Sequence, residues 1–200
     1  MTHIESIKIV RAGEYPGSQV LKVGSIYGLS SVNLIVGEQG CGKSTLLSMI
    51  QSNDSGLKLK LSENATKNGI ESFYFDSERD NPRIKDPNCY TKINGENVGI
   101  GYGGALLSRW KSHGEVLVNF TVNAISKAEN CVVLLDEPEL GLSIRNQYRL
   151  VEEIRKATER GVQFIIATHC YVLIDQFDLV ISLEHGKYMS GEKFLNLNRE

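Results

Sequence analysis

A continuous apolar run, Val32 to Val36 (with Asn33 its one polar member), leads directly into Gly37-Glu38-Gln39-Gly40-Cys41-Gly42-Lys43-Ser44, and helical spacing follows from Lys43 to Gln51. The loop fits G-x-x-x-x-G-K-[ST], and it stands between a strand and a helix, the setting in which that pattern has a physical purpose. A short buried strand of this kind expects cover on both faces, hence a parallel sheet with helices packed on it. Gly37, Gly40 and Gly42 let backbone N–H groups turn inward around phosphate oxygens, where a side chain would obstruct. The start of the helix adds its positive dipole end. Lys43 is expected on the β- and γ-phosphates, the Ser44 hydroxyl on Mg²⁺, and Thr45 on the α-phosphate. Glu38, Gln39 and Cys41 complete the loop. Cys41 is open to two readings, a thiol acidified by the helix dipole or a small residue that simply fits, and the second is the plainer.

The remaining pattern extends this into a fold. Ile4 to Val10 alternates as a strand that could lie at a sheet edge, and Arg11 to Gln19 reads as a loop. Leu57 to Leu61 and Ser72 to Phe75 read as further strands. Residues 76–111 are polar, with two prolines and no sustained period, and are expected to be an irregular, reduced insertion. Helical spacing returns over 115–127 through Leu117, Phe120, Ala124 and Ile125. Strand 131–135, helix 144–159 (Ile144, Tyr148, Val151, Ile154), strand 162–167 and strand 179–183 complete the pattern. Apolar runs alternating with helices imply an α/β phosphate-loop fold with a mostly parallel central sheet and antiparallel strands near the N-terminus. No repeat, low-complexity tract or linker divides the 200 residues, so one domain over 1–200 is expected.

Two further features carry chemistry. Val132 to Leu135 is fully aliphatic and delivers Asp136 and Glu137 to its carboxyl end, where ligand sites on open α/β sheets lie. Asp136 suits Mg²⁺, held through water, and Glu137 suits orienting or deprotonating an attacking water. Pro138 stops the strand. Glu139 is a third acid with no assignable role and reads as a solvated loop carboxylate. Ser112 precedes Glu115 by three residues, a capping box opening the helix that follows, and the free N–H groups of a helix start attract anions.

With GEQGCGKS, KSHGE, VVLLDEPE and IIATH in this order, the chain resembles an ATP-binding-cassette-type ATPase. It is most similar to the soluble branch of chromosome-maintenance, double-strand-break-repair and recombination ATPases, and within it to small bacterial and mobile-element AAA-family ATPases. The resemblance spans roughly residues 4–185. It implies that ATP is bound with Mg²⁺ between two copies in a head-to-tail homodimer and hydrolysed. Ser112, Gly114 and Glu115 match the signature segment that contacts the γ-phosphate held by the partner copy, with His113 replacing a glycine. His169 matches a histidine that senses the γ-phosphate, so Glu137, His169 and Lys43 are the expected catalytic residues. The resemblance also suggests an effector protein partner in defence or DNA-related processes. A nucleotide-sensing switch with little turnover is the alternative, and the ATPase subunit of a transporter is less favoured.

Departures are as informative. Relatives carry a Gln after the middle strands that coordinates Mg²⁺ and relays to the partner, whereas here Ser72 to Phe75 runs into Asp76-Ser77-Glu78, whose carboxylates are the candidate replacements. Ser143 stands where many relatives have Asp and is expected to cap the next helix. Arg11 and Tyr15 are candidates for stacking on adenine. A formal charge of −2 offers no global basic field, so nucleic acid is left open but not indicated, and Arg79, Arg83, Lys85 and Lys92 are read as a solvated cluster. Cys41, Cys89, Cys131 and Cys170 form no framework and no zinc spacing with His169, which points to reduced thiols and a cytoplasmic setting. No apolar run approaches the ~18 residues a membrane span requires.

Overall fold

The computed structural model describes residues 3–11, 17–63, 65, 71–77, 91–93, 96–98, 113–177 and 179–197. Its centre is a six-stranded sheet built from β3 (Val32–Val36), β5 (Ser72–Asp76), β8 (Val132–Asp136), β9 (Gln163–Ala167), β10 (Leu179–Ser182) and β11 (Lys187–Ser190), in the order β11-β10-β3-β9-β8-β5. Every pairing from β10 to β5 is parallel, and only β11 runs antiparallel at one edge. A second sheet, with order β2-β1-β4, is antiparallel and comprises β1 (Ile4–Ile9), β2 (Ile26–Gly28) and β4 (Leu57–Leu61).

The aliphatic strands divide their side chains between two cores, as strand alternation requires. Leu34, Val36, Val133, Leu135, Phe164, Ile166 and Val180 face one side, where α2 (His113–Lys127), α3 (Ile144–Glu159), α4 (Tyr171–Gln176) and α5 (Gly191–Leu197) supply Ala124, Ile125, Leu150, Ile154, Leu173 and Phe194. Ile35, Val132, Leu134, Ile165, Ala167 and Ile181 face the other, covered by α1 (Lys43–Gln51) and by Ile4, Ile7 and Ile9 of the antiparallel sheet. Leu46, Leu47 and Ile50 of α1 pack on the sheet as their spacing predicted.

The two sheets are pinned by one amide. Gln163 is fully buried. Its Oε1 accepts from His3 N (2.9 Å) and Ile4 N (2.8 Å), while its Nε2 donates to Ile4 O and Ser30 O, both at 2.9 Å. That uses the full donor and acceptor capacity of the side chain, the condition under which a buried amide stabilises.

Several expectations need correction. β1 is the central strand of its sheet and not an edge, because β2 and β4 flank it. β2, β11, α4 and α5 had no periodic signal, being three to seven residues long. Inside the segment expected to be irregular lies a short antiparallel strand pair, β6 (Thr91–Ile93) with β7 (Glu96–Val98). α2 begins at His113, two residues earlier than the spacing indicated. On α3 the stripe is rotated: Leu150, Val151, Ile154 and Ala157 are buried, whereas Ile144 and Tyr148 are 68% and 46% exposed. Ser143 does cap α3, with extended backbone and its Oγ accepting from Asn146 N at 3.4 Å.

Candidate functional site

The loop after β3 is shaped by what its neighbours exclude. Gly42 has φ +99°, and a Cβ there would sit 2.7 Å from Val20 Cγ2 and 2.8 Å from Leu21 Cδ2. Both the left-handed backbone and the close approach therefore require glycine. Lys43 is 6% exposed, and its Nζ donates to the carbonyl oxygens of Gly37 and Glu38, each at 3.0 Å. The ammonium is thus held beneath the loop by its own backbone. From the far side Glu184 braces the loop, its Oε1 accepting from Glu38 N at 2.7 Å.

Parallel pairing brings the carboxyl ends of β5, β8 and β9 level with this loop. Asp76 is the register partner of Asp136, and Asp136 that of Ala167. A cleft of about 380 Å³ results. The loop and α1 contribute Gln39, Gly40, Gly42, Lys43, Ser44 and Thr45; the strand ends contribute Asp76, Ser77, Asp136, Glu137 and His169. Gly37, Glu38 and Cys41 belong to the loop without lining the cleft.

Asp136 is 5% exposed. Its Oδ2 accepts from the Tyr74 hydroxyl at 3.0 Å, whereas Oδ1 is buried with no well-formed hydrogen bond among the described residues, the Ser44 hydroxyl lying near the carboxyl. Burial pushes its carboxyl above the usual range; the neighbouring Ser44 and bonded Tyr74 hydroxyls offset part of this, and the charges of Asp76 and Glu137 add to it. A buried carboxylate oxygen with spare acceptor capacity, near a serine hydroxyl and a second carboxylate, fits a hard divalent cation. Among the described residues no group of three or more His, Cys, Asp or Glu could hold a metal alone.

Glu137 adopts φ +47°, an uncommon conformation for a residue with a Cβ. Its N donates to Ala167 O at 2.9 Å, and its carbonyl accepts from Ser77 Oγ at 2.5 Å. Its carboxylate Oε1 stands 3.9 Å from His169 Nε2, both side chains being partly exposed to the cleft. An acid that can take a proton from water and a histidine that can meet a phosphate therefore face the same space.

Glu139 is not a solvated loop acid. Its carboxyl points inward: Oε1 accepts from Thr168 Oγ1 (2.6 Å) and His169 N (3.1 Å), and Oε2 is buried without a partner among the described residues. Burial pushes this carboxyl up as well, with the hydrogen bonds from Thr168, from its own backbone N–H and from His169 opposing, and the charge of Glu137 adding to the rise. Cys41 also departs from the acidified reading. Burial raises its thiol, Lys43 opposes, and Glu184 raises it further. Arg11 is occupied by Ser55 Oγ, 2.7 Å from Nη2, and does not line the cleft. Tyr15, Glu78, Arg79, Arg83, Lys85, Cys89 and Ser112 lie outside the described residues, and Gly114 and Glu115 fall in the first turn of α2. His3 and His185 serve locally, on Gly161 O and Ser182 Oγ. Cys41, Cys131 and Cys170 are free thiols. No described helix is long and apolar enough to cross a membrane.

Comparison with known proteins bears on the fold. Residues 124–175, which include Asp136, Glu137, Glu139 and His169, match the family model described as "AAA domain, putative AbiEii toxin, Type IV TA system". No curated protein matches the sequence. Among solved structures, a "putative ABC transporter (ATP-binding protein)" from Pyrococcus furiosus is similar at 16% identity and TM-score 0.60, covering 92% of this chain and 98% of its own. A nucleotide-free ATP-binding cassette from an ABC transporter is similar at 17% identity and TM-score 0.58, covering 98% and 94%. An ATP-binding subunit of an ABC transporter is similar at 15% identity and TM-score 0.59, covering 98% and 93%. The chain has the fold of the ABC-type P-loop ATPase cassettes it is similar to.

Proposed function

We propose that this chain, built on the ATP-binding-cassette fold, is a cytoplasmic Mg²⁺-dependent ATPase that closes as a head-to-tail homodimer around ATP and reopens on hydrolysis. The observation that carries the reading is the convergence of Lys43, Ser44, Asp136, Glu137 and His169 on one cleft. The loop N–H groups and Lys43 bind the β- and γ-phosphates, and Lys43 exchanges its contacts with Gly37 O and Glu38 O for phosphate oxygens. Ser44 and Asp136 hold Mg²⁺, with Asp76 in the place of the missing Gln; when bound, the ion neutralises phosphate charge. Glu137 orients the attacking water and accepts its proton, and His169 donates to the γ-phosphate oxygens. Ser112, Gly114 and Glu115 of the second copy complete the site. Dimerisation and nucleotide state are then linked by mass action, and the cycle controls an effector protein in a defence or DNA-related process.

A switch module with little turnover is the second reading, supported by the same departure from the relatives, an acid at Asp76 where a relay Gln is expected. Similarity to transporter cassettes at under 20% identity supports the fold and not a transporter partner. The test is Glu137→Gln, which keeps the side-chain shape and removes the proton acceptor. Hydrolysis should fall by roughly 10²–10⁴. The variant should accumulate as an ATP-bound dimer on size-exclusion chromatography with light scattering, and adding Ser112→Arg should disperse it. A Glu137→Gln chain that binds ATP yet stays monomeric at tens of micromolar would sink the dimer mechanism.

A further inference from the structure

We propose that Glu139 is a positioning residue that holds His169 against Glu137 by tying together the turns after β8 and β9. The inference rests on the roles given above to Glu137 and His169, but the tie itself is geometric. The two turns are joined first by backbone, Glu137 N to Ala167 O at 2.9 Å. They are joined again by the Glu139 carboxylate, which reaches across to Thr168 Oγ1 at 2.6 Å and His169 N at 3.1 Å.

The backbone N–H groups of the segment carrying the histidine show why the second joint matters. Thr168 N donates to Ile35 O at 3.1 Å, continuing the sheet, and Cys170 N donates to Thr168 Oγ1 at 2.9 Å. Only His169 N takes its acceptor from the loop that also carries Glu137. The imidazole then enters the cleft with Nε2 3.9 Å from Glu137 Oε1. Glu139 therefore fixes the base of one of these two side chains from a point two residues beyond the other.

The burial of this acid offsets part of what its hydrogen bonds contribute to stability. Its Oε2 is buried with no donor among the described residues, and a buried carboxylate with an unpartnered oxygen is a poor stabiliser. Glu139 also does not line the nucleotide cleft, so its removal should spare phosphate binding while loosening the pair that acts on the reacting end.

The experiment compares Glu139→Ala, Glu139→Gln and Thr168→Val with the parent chain. For Glu139→Ala, kcat should fall roughly 10–100-fold, as expected when reacting groups lose their alignment. Kd for ATP should stay within about twofold, since the groups that bind phosphate are untouched. The His169 amide should exchange with solvent about tenfold faster or more, the factor that losing one hydrogen bond to a charged acceptor allows. Glu139→Gln keeps a carbonyl acceptor for both donors and should restore both readouts most of the way. Thr168→Val should move them in the same direction by less, and it serves if the alanine variant does not fold. Unchanged kcat and unchanged His169 exchange in a folded variant would overturn the proposal. So would a loss of ATP affinity as large as the loss of kcat, or a Gln variant as impaired as the Ala variant. If the parent chain binds ATP without turning it over, the ATPase reading fails, and His169 exchange alone decides the tie.

Discussion

Asp136→Asn separates the cost of the candidate cation site from its use. Asp136 is 5% exposed, with Oδ2 on the Tyr74 hydroxyl and Oδ1 buried with no well-formed hydrogen bond among the described residues, the Ser44 hydroxyl near the carboxyl offsetting only part of the cost of burial. Leaving a buried polar group unsatisfied costs about 1–3 kcal/mol, more when it is charged. Asparagine keeps the size and an acceptor for Tyr74, and it lacks the charge. It should therefore gain about 1–2 kcal/mol in the absence of metal, taking the lower part of that range because the amide is itself imperfectly paired. For a chain of this length each kcal/mol moves Tm by about 2–4 °C, so the variant should melt about 2–8 °C higher in EDTA near neutral pH.

The pH dependence has a definite sign. Burial raises the carboxyl's pKa in the folded chain above its unfolded value, so the folded state binds this proton more tightly. Asp136 is then harmless below the unfolded pKa and lowers stability as pH rises from there through the folded pKa. The advantage of asparagine should accordingly shrink as pH falls toward the ordinary carboxylate range. In the parent chain, Mg-ATP at about 100 times its Kd should add roughly 2.7 kcal/mol, and the Mg²⁺-dependent part of that gain should vanish in the variant. Calorimetric scans with EDTA, ATP alone and Mg-ATP at several pH values make the measurement. An asparagine variant that melts no higher than the parent in EDTA, or keeps its Mg²⁺-dependent gain, would refute the reasoning.

Lys43→Ala removes the main fixed cation under the phosphate loop and should abolish nucleotide binding; affinity within about threefold of the parent, by titration calorimetry, would contradict the loop's role. Gly42→Ala puts a methyl group 2.7 Å from Val20 Cγ2 at φ +99°, and should cost about 1–3 kcal/mol or more of stability together with ATP binding, both readable in a nucleotide-dependent melt. Cys41 has its thiol pKa raised, chiefly by burial, so alkylation should be slow near neutral pH and quicken as pH rises. Mg-ATP should slow it further; equal labelling of the Cys41 peptide with and without nucleotide would count against a loop that wraps phosphates.

Most of what is local was legible from the residues alone. Strand 32–36, the loop to Ser44 and helix 43–51 follow from a run of aliphatics, three glycines and a 3.6-residue period, and the structure reproduces them. Helix 144–159 and its Ser143 cap were legible for the same reason, since capping and periodicity are interactions within a few residues. The pairing of Asp136 and Glu137 with the loop was legible because a buried aliphatic strand that ends in acids delivers them to the carboxyl edge. The hydrophobic stripe of α3 was legible in kind but not in phase. Which arc of a helix is buried depends on what packs against it, and Ile144 and Tyr148 extend beyond the covered part.

The supports of the site belong to tertiary structure alone. Tyr74 meets Asp136 from 62 residues away, Glu184 meets Glu38 from 146, and Glu139 meets Thr168 from 29. No period or motif encodes these contacts, because they exist only once the strands take the order β10-β3-β9-β8-β5 and their carboxyl ends come level. Sequence determined which residues could do the chemistry, through local backbone geometry and residue type. The order of parallel strands, set by crossovers the chain does not spell out locally, decided which side chains hold them in place.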